Sequence, residues 1–180
     1  MPTQATREKM GSDLNSLLQK ETRSDPSSLT ETVSPRPALS PALASRKAPV
    51  VLDTNIILDV FIFDDIAAKA VKRALEAGEL DWIATQPMRD ELARVLAYAQ
   101  IVPRLAFYGL SADDVLAAFD RHARLTEVAA KSRLTCKDAD DQKFIDLAIA
   151  GQALLLSKDR HILSMTKRLR AQGVQARAAL

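Results

Sequence analysis

The sequence predicts an α/β domain built on a mostly parallel sheet, from about residue 48 to residue 180. Short apolar segments alternate with amphipathic helical segments, which is the order of a layered α/β domain. Two of the apolar segments, "VVL" at 50–52 and "ALLLS" at 153–157, are typical of buried strands. The chain has 180 residues, 47% of them hydrophobic, which is enough for one domain with a sizeable core.

The first half of the domain is predicted to contain two strands and three helices. The strands are 50–52 and 81–85, and the helices are 65–78, 86–99 and 111–123. Gly78 is expected to cap the first of these helices, and Pro87 lies in the first turn of the second. Ser111 and Asp114 have the spacing of a capping box at the start of the third.

The second half continues the alternation. Residues 140–151 form an amphipathic pattern that we expect to be a helix closed by Gly151. The buried strand 153–157 follows, then a mostly helical segment at 159–173 and an edge strand at 174–178. These elements complete the α/β order.

Residues 1 to 47 have a different composition and are predicted to be a disordered tail. The segment is rich in Ser, Thr and Pro and has few large apolar residues. Such a segment cannot bury enough apolar surface to offset the entropy lost on ordering. A targeting or partner-binding role and no specific role are both compatible with this composition.

Composition excludes several classes of protein. One cysteine rules out an intramolecular disulfide framework and a multi-cysteine zinc site, and two histidines cannot supply a His-rich metal site. No apolar segment approaches the roughly 20 residues of a membrane span, and the N-terminus lacks the apolar region of a secretory signal. We therefore expect a cytoplasmic protein without membrane association. The formal net charge of +2 argues neither for nor against nucleic acid.

Two carboxylates follow predicted buried strands. Asp53 comes directly after "VVL", and Asp159 comes just after "ALLLS". Ligands of open α/β sheets bind outside the carboxyl ends of the strands, so both acids are candidates for a functional site. Each could instead cap the helix that follows it, and the sequence leaves this alternative open.

Glu91 lies on the apolar side of its predicted helix. It is three residues after Met88 and four before Val95, so it points with the apolar stripe, whereas Asp90 is predicted to face solvent. A carboxylate in this position costs several kcal/mol unless it is paired or holds a cation. A buried Arg partner is the structural alternative.

Asp141 repeats this pattern, since it precedes the apolar residues Phe144 and Ile145 by three and four positions. Asp138 and Asp140 stand just before it, and one of these three acids is expected to act only as a helix cap. Two further acids, Asp59 and Asp146, are predicted to face solvent.

Four acids from separate elements are thus directed to one end of the sheet. Like charges raise each other's pKa, so such a group requires a counter-charge. Oxygen ligands without a His or Cys cluster suit Mg²⁺ or Mn²⁺. A carboxylate site holding such ions is suited to activating water against a phosphodiester.

The ordered segments "VVLDTNIIL", "ELARVL", "CKDADDQKFIDLAIA" and "LLLSKDRHIL" resemble the PIN domain, and most closely its bacterial group described as toxin components of toxin–antitoxin systems. The resemblance covers residues 49 to 180. It implies a three-layer α/β/α sandwich with a central, mostly parallel sheet. It implies these metal-binding acids: Asp53, Glu91, Asp141 and Asp159.

The resemblance also implies three supporting residues. Asn55 would be an orienting polar group and part of the catalytic set. Ser157 takes the place of the small hydroxyl residue before the last acid. Asp138 could be a second-shell or alternative ligand. The chain ends at "VQARAAL" without the longer closing segment expected of the family, which puts the last strand in question.

The implied activity is that of a metal-dependent endoribonuclease, which cleaves single-stranded RNA with water activated by Mg²⁺ or Mn²⁺. The resemblance further implies a homodimer and an antitoxin protein as partners. A catalytically silent module that binds RNA or protein is the alternative, and the complete set of acids argues against it. A haloacid-dehalogenase phosphatase would need Asp at position 55, where this chain has Asn.

Basic residues beside and after the last predicted acid, Asp159, could contact RNA phosphates. A solvated basic helix face is the alternative interpretation, and Trp82 is predicted to belong to the core and not to stack on bases. The candidate RNA-binding residues are Lys158, Arg160, Lys167 and Arg168.

Overall fold

A computed structural model describes residues 47 to 180 of the chain. Except for Lys47, the predicted N-terminal tail lies outside the described residues. Strands β1 to β5 are, in order, Pro49–Leu52, Asp81–Thr85, Ala123–Thr126, Leu154–Leu156 and Ala176–Arg177. Helices α1 to α8 are Thr54–Phe61, Lys69–Glu76, Gln86–Leu96, Val102–Phe107, Ala112–His122, Gln142–Gly151, Arg160–Ser164 and Thr166–Arg170, with a 3₁₀ turn at Ile66–Ala68.

The five strands form one sheet in the order β3-β2-β1-β4-β5, and every neighbouring pair is parallel. The predicted mostly parallel sheet is therefore confirmed. The chain leaves β1 toward β2 on one side and later places β4 on the other side. The order thus reverses between β1 and β4, and ligand crevices of open α/β sheets form at such a point.

Helices cover both faces of the sheet. Right-handed crossovers place α1 to α5 on one face and α6 to α8 on the other. In agreement, α1 packs against α2 and α3, α3 packs against α5, and α6 lies against the two central strands β1 and β4. The result is the expected three-layer α/β/α arrangement.

Large apolar side chains fill the space between the layers. Trp82, Phe119 and Phe144 are almost fully buried. The rings of Trp82 and Phe119 pack edge to face with centroids 4.8 Å apart. The prediction that Trp82 belongs to the core is confirmed, which leaves this ring unavailable for stacking on a base.

Several local predictions are confirmed. Gly78 adopts a φ of +65° just after α2, where a left-handed residue ends a helix. Ser111 and Asp114 form the capping box of α5, since each side chain bonds the other residue's backbone N–H. The C-terminal edge strand exists as the two-residue β5, which pairs with β4.

Other local predictions are wrong or incomplete. Strand β3 and helix α4 were not anticipated, and the segment 159–173 contains two short helices that meet at Met165. Gly151 does not close α6, because Gln152 takes the left-handed conformation with a φ of 47°. A Cβ on Gly151 would lie 2.7 Å from Ile83 Cδ1, so this glycine permits close packing of the helix on β2.

Within residues 47–180, no helix combines the length and apolar character needed to cross a membrane.

We predict that Ser111→Ala lowers the free energy of unfolding by about 1 kcal/mol, because it removes the hydroxyl that accepts from the Asp114 N–H. Urea titration followed by circular dichroism would measure the loss. Ser111→Thr keeps a hydroxyl and should lose much less. Equal losses in the two variants would contradict a capping role.

Candidate active site

Asp53 lies at the carboxyl end of the central strand β1, where the chain turns into α1. The residue is 4% exposed, and its side chain makes no capping hydrogen bond to the helix, so the capping interpretation of this acid is wrong. The Asp53 backbone N–H donates to the Leu156 carbonyl at 2.9 Å, which extends the pairing of β1 with β4 by one residue. The strand pairing therefore fixes where the carboxylate lies.

Two side chains hold the Asp53 carboxylate in place. Ser157 Oγ and Asn55 Nδ2 both donate to Asp53 Oδ2, each at 2.5 Å. Burial nevertheless raises the pKa of Asp53 above its usual value. Hydrogen bonds from the side chains of Ser157 and Asn55 oppose this shift, and the nearby charge of Glu91 adds to it. A buried acid with a raised pKa at a strand end is a candidate functional group.

Ser157 and Asn55 also join the loops that follow β1 and β4. Ser157 is fully buried, and its Oγ accepts the backbone N–H of Asp159 at 2.9 Å. Asn55 Oδ1 accepts the backbone N–H of Lys158 at 3.1 Å. These contacts fit the supporting roles expected of Ser157 and Asn55.

Asp159 combines a structural contact with a position near the acids. Its Oδ1 accepts the backbone N–H of His161 at 2.6 Å and so caps α7, as the alternative interpretation expected. The side chain is 38% exposed, and its charge contributes to raising the pKa of Asp141. Capping uses Oδ1 alone, since no hydrogen bond to Asp159 Oδ2 forms within residues 47–180.

Glu91 points inward from α3, as its spacing predicts, while the exposed Asp90 accepts from Gln86 Nε2 at 2.8 Å. Glu91 Oε1 accepts from Thr54 Oγ1 at 3.3 Å. Glu91 Oε2 forms an ion pair with Lys143 Nζ, so the cationic partner is a lysine from α6 and not the arginine considered from the sequence. Lys143 Nζ also donates to the Asp140 carbonyl.

Asp141 stands at the start of α6 without capping it. Burial raises its pKa to about 7, assisted by the charges of Asp53, Asp159 and Asp138 and opposed by that of Lys143. Its Oδ2 atom is buried and has no hydrogen-bond partner among the described residues. Asp141 is therefore the group whose environment most requires a cation.

The donor set fits a divalent cation. The unpartnered buried Oδ2 of Asp141 lies in a group of like charges, and hard oxygen atoms are the ligands that Mg²⁺ and Mn²⁺ prefer. Ligand atoms of Asp138, Asp141 and His161 lie within 4.8 Å of one another, close enough for a metal-binding group.

Two residues of this site, Thr54 and Lys143, were not identified from the sequence. Thr54 and Lys143 contact Glu91, and His161 lies beside Asp138 and Asp159. The position of Lys143, two residues after Asp141, offered a signal for a cation near the acids. Nothing in the sequence pairs it with Glu91, because that contact depends on how the fold brings the start of α6 near Glu91 at the edge of the sheet.

Two acids that were predicted to face solvent do not. Asp146 is buried and accepts hydrogen bonds from Ser132 N and Gln142 Nε2, both at 2.8 Å, so it anchors the loop before α6. Asp59 is largely buried and lies 2.7 Å from Lys158 Nζ. Both predictions are therefore wrong.

The candidate RNA-binding residues fall into two groups. Lys158 Nζ forms ion pairs with Asp59 and, at 2.8 Å, with Asp65. Carboxylates of the same chain therefore already neutralise its charge. Arg160, Lys167 and Arg168 are exposed on α7 and α8, the two helices that follow β4 in the chain. These three remain the candidates for phosphate contacts.

Comparison with known proteins adds a family and a fold. The family model described as PIN domain matches residues 49–161. The fold is similar to that in the crystal structure of VapBC2 from Rickettsia felis bound to a DNA fragment from their promoter. That likeness has a TM-score of 0.50 and 14% identity, and covers 72% of this chain and 97% of that chain. No curated protein sequence gives a match.

We predict that the protein in chelator loses stability as pH rises from about 4 to about 7. The folded state keeps a proton on Asp141 up to about pH 7, whereas the unfolded chain releases it near the usual pKa of 3.8. The free energy of unfolding therefore falls across this window and levels off above it. Asp141→Asn should flatten this slope and raise stability at pH 8 by on the order of 1 kcal/mol.

Urea titrations at several pH values would measure this effect. Asp113→Asn, which alters an exposed acid in the first turn of α5, is the matched control and should keep the wild-type slope. A wild-type slope in the Asp141→Asn protein would contradict the assignment.

We predict that Lys143→Met lowers the free energy of unfolding in chelator by about 1–3 kcal/mol, because Glu91 then loses its cationic partner. Lys131→Met, which alters an exposed lysine, should have little effect. In a Glu91→Gln background the loss should shrink, since the pair is already broken. An unchanged loss in that background would show that the ion pair does not carry the effect.

Proposed function

The chain belongs to the PIN domain family, and from this membership we propose that it is a metal-dependent endoribonuclease that cleaves single-stranded RNA. The reaction is an in-line attack of water on a phosphodiester phosphorus, with the bond to the leaving ribose oxygen breaking. A bound Mg²⁺ or Mn²⁺ would lower the pKa of water and neutralise charge on the phosphate. The proposed metal-binding acids are Asp53, Glu91, Asp141 and Asp159.

The observation that carries this proposal is the unbalanced charge at the carboxyl edge of the sheet. Asp53 is buried and accepts hydrogen bonds from Ser157 and Asn55. The charge of Glu91 raises the pKa of Asp53, and the charge of Asp53 in turn raises the pKa of Asp141. Lys143 supplies one positive charge for this group. A divalent ion would supply the remaining balance.

The chain's own residues orient the site. Ser157 and Asn55 both donate to Asp53 Oδ2, which leaves Oδ1 as the oxygen that can turn toward an ion. Thr54 holds Glu91 Oε1 in the same way. Fixing the ligands before the ion arrives reduces the reorganisation needed at the moment of reaction.

RNA would approach along the exposed surface of α7 and α8. Arg160, Lys167 and Arg168 lie there and can contact phosphates without base specificity. Such contacts weaken as salt concentration rises. Because phosphate contacts do not read the bases, any preference for particular RNA sequences would come from other contacts.

The biological role that we propose is the toxin component of a cytoplasmic toxin–antitoxin pair, acting as a homodimer and inhibited by an antitoxin protein. The support is family membership, together with a similar fold in VapBC2 from Rickettsia felis. A purified complex with the product of an adjacent small gene would test the partner independently of RNA cleavage.

We predict that Glu91→Gln and Asp53→Asn reduce cleavage of a single-stranded RNA with Mg²⁺ or Mn²⁺ by at least about 100-fold, because each removes a ligand charge. Asp90→Asn is the matched control, since Asp90 is adjacent to Glu91 but exposed. It should retain wild-type activity. Gel analysis of a labelled RNA, with circular dichroism to verify folding, would measure the change.

Two outcomes would contradict the proposal. Cleavage that persists in EDTA would exclude metal dependence, and wild-type activity in Asp53→Asn would exclude this site. An inactive wild-type protein that still binds RNA, with several RNAs and both metals, would instead support a binding module.

A further inference from the structure

We infer that His161 is a metal ligand, and that with Asp138 and Asp141 it forms a mixed nitrogen and oxygen site that selects Mn²⁺ over Mg²⁺. This inference deepens the proposed function, because it rests on the metal part of that function and not on RNA as the substrate.

The three side chains come from two separate segments that the fold brings together. Asp138 and Asp141 lie just before and at the start of α6, and His161 lies in the first turn of α7, after β4. One ligand atom from each is within 4.8 Å of the other two. Ligands about 2.1 Å from an ion are at most about 4.2 Å apart, so only a small inward movement would close the site.

His161 is positioned for this role by its backbone. Its N–H donates to Asp159 Oδ1 at 2.6 Å, which anchors the residue beside the last acid. Its Nδ1 is 3.9 Å from Asp138 Oδ2 and 3.6 Å from Asp159 Oδ1. Both distances exceed a hydrogen bond, so within residues 47–180 neither carboxylate binds this ring nitrogen directly.

Asp141 supplies a second, independent reason. Its Oδ2 is buried without a hydrogen-bond partner in the described part of the chain. A buried carboxylate oxygen that lacks a donor lowers the stability of the folded state unless a cation binds it. The same residue belongs to the group with Asp138 and His161, so the carboxylate that lacks a donor is also the one that lies near the imidazole.

The chemistry of the ligands determines which ion is preferred. Mg²⁺ binds almost entirely through oxygen and keeps several water molecules. Imidazole favours first-row transition ions, and carboxylates bind Mn²⁺ as well as Mg²⁺. Adding one imidazole to a carboxylate site therefore strengthens Mn²⁺ binding more than Mg²⁺ binding.

The alternative is that His161 only forms an ion pair with its acidic neighbours. In that case it would not bond an ion, and its removal would not change the preference between ions. Electron spin-echo spectroscopy of the Mn²⁺-loaded full-length protein distinguishes the two, because a directly bonded imidazole nitrogen couples to the manganese spin.

The chain offers a matched control, since it contains two histidines, His122 and His161. We expect a nitrogen coupling in the wild type that changes on labelling with ¹⁵N-histidine. The coupling should persist in His122→Gln and vanish in His161→Gln. Calorimetry should give a loss of about tenfold or more in Mn²⁺ affinity for His161→Gln, with Mg²⁺ affinity changed less than about twofold.

Absence of nitrogen coupling in the Mn²⁺-loaded wild type, or unchanged Mn²⁺ affinity in His161→Gln, would overturn the inference. The labelled wild type provides the test even if a variant fails to fold. Coupling in a protein that leaves RNA intact would support this site and contradict the ribonuclease proposal. Cleavage of RNA by a protein that shows no nitrogen coupling would support the ribonuclease proposal and contradict His161 as a metal ligand.

Discussion

Repulsion among carboxylates at the carboxyl edge of the parallel sheet is the constraint on which the rest of the site depends. The sheet order brings the ends of β1 and β4 together, so Asp53 and Asp159, which follow these strands, are held at the same edge of the sheet. Burial then raises the pKa of Asp53 and Asp141. The fold tolerates this because Ser157, Asn55 and Lys143 each offset part of the cost.

Some of these contacts both stabilise the fold and position the acids of the site. Ser157 and Asn55 connect the two loops on either side of the switch in strand order, so they stabilise the fold and aim Asp53 with the same hydrogen bonds. Lys143 balances only part of the negative charge, through its ion pair with Glu91. Natural proteins commonly keep a destabilising group, such as this cluster of acids, where activity needs it, at a cost in folding stability.

The sequence predicted the parts of the fold that local pattern determines. The continuous apolar strands β1 and β4 and the inward position of Glu91 follow from periodicity. Edge strand β3 was missed because Arg124 and Leu125 are both exposed, so its burial pattern does not alternate. Asp146 was misplaced because its partner Ser132 belongs to a loop whose position depends on tertiary packing. Long-range contacts of this kind have no local signature.

The most direct test of a cation site at this edge is X-ray diffraction from crystals grown with Mn²⁺, using the anomalous signal of the metal. We predict a strong anomalous peak between the carboxylates of Asp53 and Asp141, with the Lys143 ammonium displaced from Glu91 or beside the ion. A well-ordered site without an anomalous peak, with Lys143 still paired to Glu91, would contradict the claim that these acids gather to hold a metal.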